Sequence, residues 1–190
     1  MTTKIPYPHM TPKTGFFILS GLLVLAGLLW AGFQVERSQQ VPDMALISIR
    51  GESLNLRHLS GHPLMVSFWA SDCPSCLAEL DDLKALHESF AERGFKLITI
   101  AMAHDPPMRV LAFAEARKIP YTVVLDPLGK AARAFGDVAL IPQHFLIDAQ
   151  GNIRQQTLGK ISYDTFYNAI NALLQENQTC GSKQCTSSSW

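Results

Sequence analysis

The pattern of hydrophobic and polar positions divides the chain into three stretches. Phe16 to Phe33, "FFILSGLLVLAGLLWAGF", runs 18 residues without a charge. At about 1.5 Å per residue it spans roughly 27 Å, close to the hydrocarbon thickness of a bilayer. A buried soluble helix keeps a polar face, and this run has none. Gln34 to Asp43 is polar and contains Pro42, so it reads as a linker. From Met44 onward, short apolar runs alternate with helical spacing. "ALISI" (45–49) reads as a strand followed by a Gly-Glu turn. "HPLMVSFWA" (62–70), "FKLITIAMA" (95–103) and "YTVVLD" (121–126) are near-continuous apolar runs, as expected of strands buried on both faces. Between the first two, Leu77, Leu80, Leu83, Leu86 and Phe90 recur every three or four residues, and Gly94 stands where a helix C-cap should be. The spacing predicts one continuous helix there. "PPMRVLAFAEARK" (106–118) predicts a helix opened by prolines, and "GKAARAF" (129–135) a short one. "QHFLID" and "NIRQQTL" predict strands joined at Ala149-Gln150-Gly151 as a hairpin. "SYDTFYNAINALLQ" predicts a closing helix with Ser162 as N-cap.

The predicted order is β-β-α-β-α-β-α-β-β-α. Alternation implies right-handed βαβ units and a parallel core, and the late hairpin adds an antiparallel strand. The domain is expected over 44–176, with a cytoplasmic N-terminus (1–15), a linker (34–43) and a flexible tail (177–190). Lysine plus arginine equals aspartate plus glutamate at 16 each, so nothing points to nucleic acid.

Two membrane readings fit the apolar run. A cleaved signal peptide needs a shorter core and a small-x-small site, and Leu29-Trp30-Ala31-Gly32-Phe33 offers no convincing one. An uncleaved anchor is the expectation. Lys4 and Lys13 precede the run, while Glu36 and Arg37 cancel after it. The positive-inside rule then keeps the N-terminus in the cytoplasm and exports the rest. The expected location is a bacterial plasma membrane, single-pass, with the domain on the periplasmic or outer face. All four cysteines follow the run, in a compartment where a disulfide persists.

Cys73 and Cys76 form a C-x-x-C between a predicted strand and a predicted helix, a thioredoxin-like signature. Structural zinc needs four ligands, and the other cysteines, Cys180 and Cys185, sit at a loose C-x4-C spacing far along the chain, so no metal site is expected. Disulfide exchange fits the placement. Free backbone N–H groups at a helix start favour a thiolate, which assigns the attack to Cys73. Pro74 suits the first helical turn. Cys76, one turn further in, would resolve the mixed disulfide. Cys180 and Cys185 are expected to form a small loop disulfide or stay mobile, and a second exchange site is the sharper alternative.

"MVSFWASDCPSC" followed by "IPQHFLIDAQGNI" resembles the TlpA/ResA type of thioredoxin-like proteins, membrane-anchored reductases on the outer face of bacterial plasma membranes. The resemblance covers roughly Met44 to Gln175. It implies an α/β thioredoxin-like fold with an N-terminal β extension and a helix–strand insert, which "PPMRVLAFAEARKIPYTVVLD" (106–126) matches. It implies a cis proline facing the disulfide at Pro142. It implies a buried acid helping proton transfer at Glu79, which read blandly is a first-turn helix acid favoured by the dipole. It also implies exported protein disulfides as substrates, among them apocytochromes and copper-site assembly proteins. Electrons would come from a membrane thiol donor, and no cofactor is needed. Two departures stand out. Asp72 replaces the usual uncharged residue before the first cysteine, and its carboxylate should oppose a Cys73 thiolate. Gln143 and His144 replace the usual threonines after the cis proline. His144 reads either as a modulator of the thiols or as an ordinary strand residue.

Two other functions compete. A peroxiredoxin-type peroxidase would need Pro-x-x-x-Thr/Ser before the reactive cysteine, where this chain has Val66 and Ala70. Copper handling would use both thiols with Met102, His104 or Met108 as soft or borderline ligands.

Overall fold

The computed structural model describes residues 39–59 and 61–182. The expected anchor Phe16–Phe33 and Cys185 lie outside them. Among the described residues, no helix is long and apolar enough to cross a membrane. The central strand is β3 (Leu64–Trp69), with every residue buried. β4 (Lys96–Ala101) runs parallel beside it, and β5 (Thr122–Leu125) runs parallel to β4. On the other side β6 (Gln143–Ile147) and β7 (Ile153–Leu158) run antiparallel. The sheet order is β5-β4-β3-β6-β7.

The apolar runs are continuous because both faces are covered. On one face Met65, Trp69, Leu97, Val123 and Leu146 pack under α2 (Leu80–Phe90), α3 (Pro107–Ala116) and α5 (Tyr163–Ser182). On the other, Val66, Phe68, Ile98, Ile100 and Phe145 pack against α4 (Lys130–Ala134), Phe135 and Leu46. Rings of Phe68, Phe135 and Phe145 meet at 4.9–5.9 Å between centroids, tilted or edge to face. Leu46 belongs to β1 (Ala45–Ile47), which pairs antiparallel with β2 (Ser53–Asn55). A single bridge, Ser48 to Val124, ties this extension to β5. β2 and the 3-10 turn Leu56–Leu59 carry no clear periodicity and were not expected from the sequence. The β6–β7 turn is held by Asp148, whose carboxylate accepts the N–H groups of Gln150 and Asn152.

Three elements differ from expectation. The long helix after the cysteines is broken into α1 (Pro74–Leu77) and α2, with Glu79 at the break (φ −107°, ψ 0°). Glu79 turns its carboxylate inward, where it accepts the Ile161 N–H at 3.1 Å. The apolar spacing continues across the break because Leu83 N–H still bonds to the Glu79 carbonyl, so periodicity could not reveal it. The helix end at Gly94 also runs through a separate 3-10 turn, Ala91–Arg93. Gly94 itself is left-handed (φ 94°), and a Cβ there would lie 2.9 Å from His62 Nδ1. Finally, α5 continues to Ser182, past the expected domain end at 176, so Cys180 lies on a helix and not in a loose tail. Asn177 anchors this extra length by donating to the Gly61 carbonyl at 2.8 Å.

Candidate active site

β3 delivers the chain at Trp69 to a short loop, Ala70 to Asp72, that opens α1. Cys73 takes the N-cap position with extended backbone, and Pro74 follows at the first turn. Cys73 and Cys76 are disulfide-bonded. The Cys76 N–H is aimed at Cys73 Sγ at 3.2 Å, and Ser75 Oγ lies 3.3 Å from the same sulfur. A thiolate at Cys73 would find these donors in place. Cys76 is 4% exposed and belongs to the helix-covered core, whereas Cys73 is partly open. The two sulfurs are therefore asymmetric in access, as the expected attacking role of Cys73 and resolving role of Cys76 require.

Ile141–Pro142 is a cis peptide bond. Phe68 pairs with Gln143 across β3 and β6, so the register carries Pro142 to the level of Trp69, where β3 leads into the cysteine loop. The motifs at 73–76 and 141–142 converge through that pairing.

Beneath the disulfide lies a polar group that the sequence placed only in part. Glu79 and His144 are both fully buried. His144 Nε2 faces Glu79 Oε1 at 3.3 Å, and the Phe166 ring packs edge-on against the imidazole at 5.9 Å. Of the two readings of Glu79, the geometry favours the buried acid over the solvent-facing helix-start acid. Cys76, Glu79, Trp69, Thr99 and Tyr121 line a cavity of about 10 Å³, room for roughly one water. Burial, reinforced by the charges of Glu79 and Asp81, pushes the Tyr121 phenol well above its ordinary range.

Asp72 does not stand alone beside Cys73. Its carboxylate meets Arg109 Nη2 at 3.4 Å and His104 Nε2 at 3.9 Å. Arg109 also reaches Asp105, Nε to Oδ1, at 3.2 Å. Asp105 is buried and accepts both the Ser71 N–H (2.6 Å) and the Ser71 hydroxyl (2.9 Å). Asp105 thus clamps the loop that carries Asp72 and Cys73 to the start of α3. Sequence reasoning missed Asp105 and Arg109, although an acid and a base four apart flanking a Pro-Pro helix start could have flagged them. Of the copper candidates, His104 is engaged with Asp72, Met102 is half-buried, and Met108 is 75% exposed on α3.

Residues 38–156 match the AhpC/TSA family. The chain belongs to that family. Within the AhpC/TSA family it is a TlpA/ResA-type thioredoxin-like protein and a thiol–disulfide oxidoreductase. It is 28% identical over 129 residues to the thiol-disulfide oxidoreductase ResA of Halalkalibacterium halodurans, covering 65% of this chain and 72% of the relative. It is 26% identical over 152 residues to sporulation thiol-disulfide oxidoreductase A of Bacillus subtilis, covering 76% and 91%. Among solved structures, a thiol:disulfide interchange protein of the thioredoxin family from Chlorobium tepidum superposes with a TM-score of 0.67 at 27% identity, covering 73% of this chain and 97% of that one. This AhpC/TSA member lacks the peroxidase pattern, with Val66 and Ala70 where proline and threonine or serine would stand.

Proposed function

We propose that this AhpC/TSA-family protein is a membrane-anchored reductant acting on a narrow set of exported protein disulfides. The observation that carries the reading is the pairing of an accessible Cys73 with a buried Cys76 that shares a cavity with a buried acid, Glu79. In the reducing direction the Cys73 thiolate attacks a substrate disulfide, forming a mixed disulfide and releasing one substrate thiolate. Cys76 then loses its proton and attacks Cys73 sulfur. The second substrate thiolate leaves, and the protein is left as the Cys73–Cys76 disulfide. Two electrons pass from the protein thiols to the substrate, and a membrane thiol donor restores them. Phe16–Phe33 serves as the uncleaved anchor, with the N-terminus cytoplasmic and the domain on the outer face. The substrates include apocytochromes and copper-site assembly proteins, a class inferred from the family resemblance.

The test is trapping in living cells. Cys76→Ser blocks the second attack, so substrates should accumulate as mixed disulfides on Cys73, while Cys73→Ser should trap nothing and lose all turnover. Equal trapping by both variants, or trapping through Cys76 alone, would overturn the assignment. A reporter fused after Gln178 should be active only outside the cytoplasm, and a mature N-terminus near residue 33 would refute the anchor.

A further inference from the structure

His144 occupies a place that packing alone does not explain. It lies on β6, opposite Ser67 on β3 and Thr157 on β7. Ser67 in turn pairs with Thr99 on β4, so a polar row crosses the sheet beneath the helices. His144 is fully buried, and among the described residues neither ring nitrogen has an aligned hydrogen bond; the same holds for Glu79 Oε1. Such groups are costly to bury without a partner, and an apolar side chain would fill the space with less penalty. The contact available to them is the one they make with each other, Nε2 to Oε1 at 3.3 Å in this disulfide state. Glu79 Oε2 is already committed to the Ile161 N–H. Glu79 also lines the small cavity that Cys76 borders.

We propose that His144 is a positioning residue for the resolving step. Its Nε2–H, placed on that nitrogen because a carboxylate faces it, holds the Glu79 carboxylate directed at Cys76. Glu79 then takes the Cys76 thiol proton as Cys76 attacks Cys73 sulfur. The Cys73–substrate bond breaks, the Cys73–Cys76 bond forms, the substrate thiolate leaves with the electron pair, and the proton rests on Glu79. Reduction of the disulfide by the donor returns that proton to Cys76. The other titratable groups beside Glu79 are Cys76 from α1 and Tyr121 ahead of β5, which line the same cavity, while the charge of Asp81 from α2 acts on Tyr121. Lys160 and Asp82 form an ion pair at 3.8 Å near the chain segment that supplies Ile161. Neither aspartate can donate to a carboxylate, and the contact the structure gives Glu79 Oε1 is His144 Nε2 at 3.3 Å.

The inference rests on Cys73 and Cys76 being the exchange pair, and one experiment separates the two claims. The reduced, detergent-solubilised full chain is mixed with an excess of an aromatic disulfide whose thiol is coloured. Attack by Cys73 releases the first equivalent, and resolution by Cys76 releases the second. His144→Leu should slow the second phase at least about 10-fold at neutral pH, the low side of what a positioned base contributes. The first phase should stay within about 2-fold. His144→Gln, whose amide N–H can reach the same oxygen, should restore most of the second phase, an outcome that a space-filling role does not give. Glu79→Gln should slow the same phase, and adding His144→Leu to it should cause no further loss. An unchanged second phase in His144→Leu, equal slowing of both phases, failure of glutamine to rescue, or additive losses in the double variant would each overturn the proposal. If His144→Leu does not fold, the second phase of His144→Gln, required to stay near wild type, decides. Absence of any second phase in the unmodified protein would instead sink the exchange reading itself.

Discussion

Replacing Arg109 with alanine should make Cys73 a weaker acid and the couple more reducing. Asp72 is the chain neighbour of Cys73, and its negative charge disfavours the thiolate. Arg109 sits 3.4 Å from that carboxylate and offsets it. Both side chains are about half exposed, 48% for Arg109 and 49% for Asp72, so solvent screens them strongly. Unit charges about 4 Å apart in water interact by roughly 1 kcal/mol, and exposed pairs measure at about 0.2–1 kcal/mol. An unshielded Asp72 is therefore worth at most about 0.7 pKa unit at Cys73. Arg109→Ala should raise the Cys73 pKa by roughly 0.3–0.7 unit. Asp72→Asn should lower it by less, about 0.3 unit, because Arg109 already cancels much of the charge. Asp105 keeps Arg109 in place after that change, through its own contact at 3.2 Å. A shift of half a unit is about 0.7 kcal/mol, or roughly 15 mV for a two-electron couple. Stabilising the thiolate stabilises the reduced form, so Asp72→Asn moves the potential up and Arg109→Ala moves it down. Thiolate absorbance against pH in the Cys76→Ser background gives the first quantity, and a glutathione titration of the dithiol protein gives the second. A lower Cys73 pKa in Arg109→Ala, or a shift above about 1 unit in Asp72→Asn, would refute the reasoning.

Other outcomes follow from the same structure. Tyr121 holds its proton more tightly in the folded protein than in the unfolded chain, through burial first and the charges of Glu79 and Asp81 second. The unfolded state therefore loses that proton first as pH rises, so its stabilising effect is complete below about pH 10 and lost above it; Tyr121→Phe should flatten the alkaline decline in denaturant midpoint. Phe145, fully buried between Phe68 and Phe135, should cost about 3–5 kcal/mol on change to alanine, read from urea unfolding. Asp105→Ala leaves the Ser71 N–H and hydroxyl without their acceptor and should cost about 1–3 kcal/mol while slowing the Cys73 attack. Reduced protein should exchange disulfides without added metal; a fixed copper(I) stoichiometry together with loss of exchange would revive the copper-handling reading.

The sequence by itself determined the local facts. Apolar runs identified β3, β4 and β5 because strands covered on both faces carry few polar positions, Ser67 and Thr99 among them. The turn chemistry at Ala149-Gln150-Gly151 identified the β6–β7 hairpin. The C-x-x-C at a strand–helix junction picked out the two cysteines that form the disulfide, and the family resemblance carried by "IPQHF" implied the cis bond found at Pro142. Each of these signals is carried by neighbours in the chain. Tertiary structure decided what needed partners from afar. Glu79 is a buried acid only because Ile161, 82 residues later, donates to it and because β6 brings His144 beneath α2. Asp72 looked like an isolated charge beside a thiol because Arg109, 37 residues on, cannot be seen from the motif. The break in the helix at Glu79 was hidden because the same leucine stripe runs through both pieces. Periodicity reports which face of an element is covered; it carries no information about which distant polar group meets a buried carboxylate.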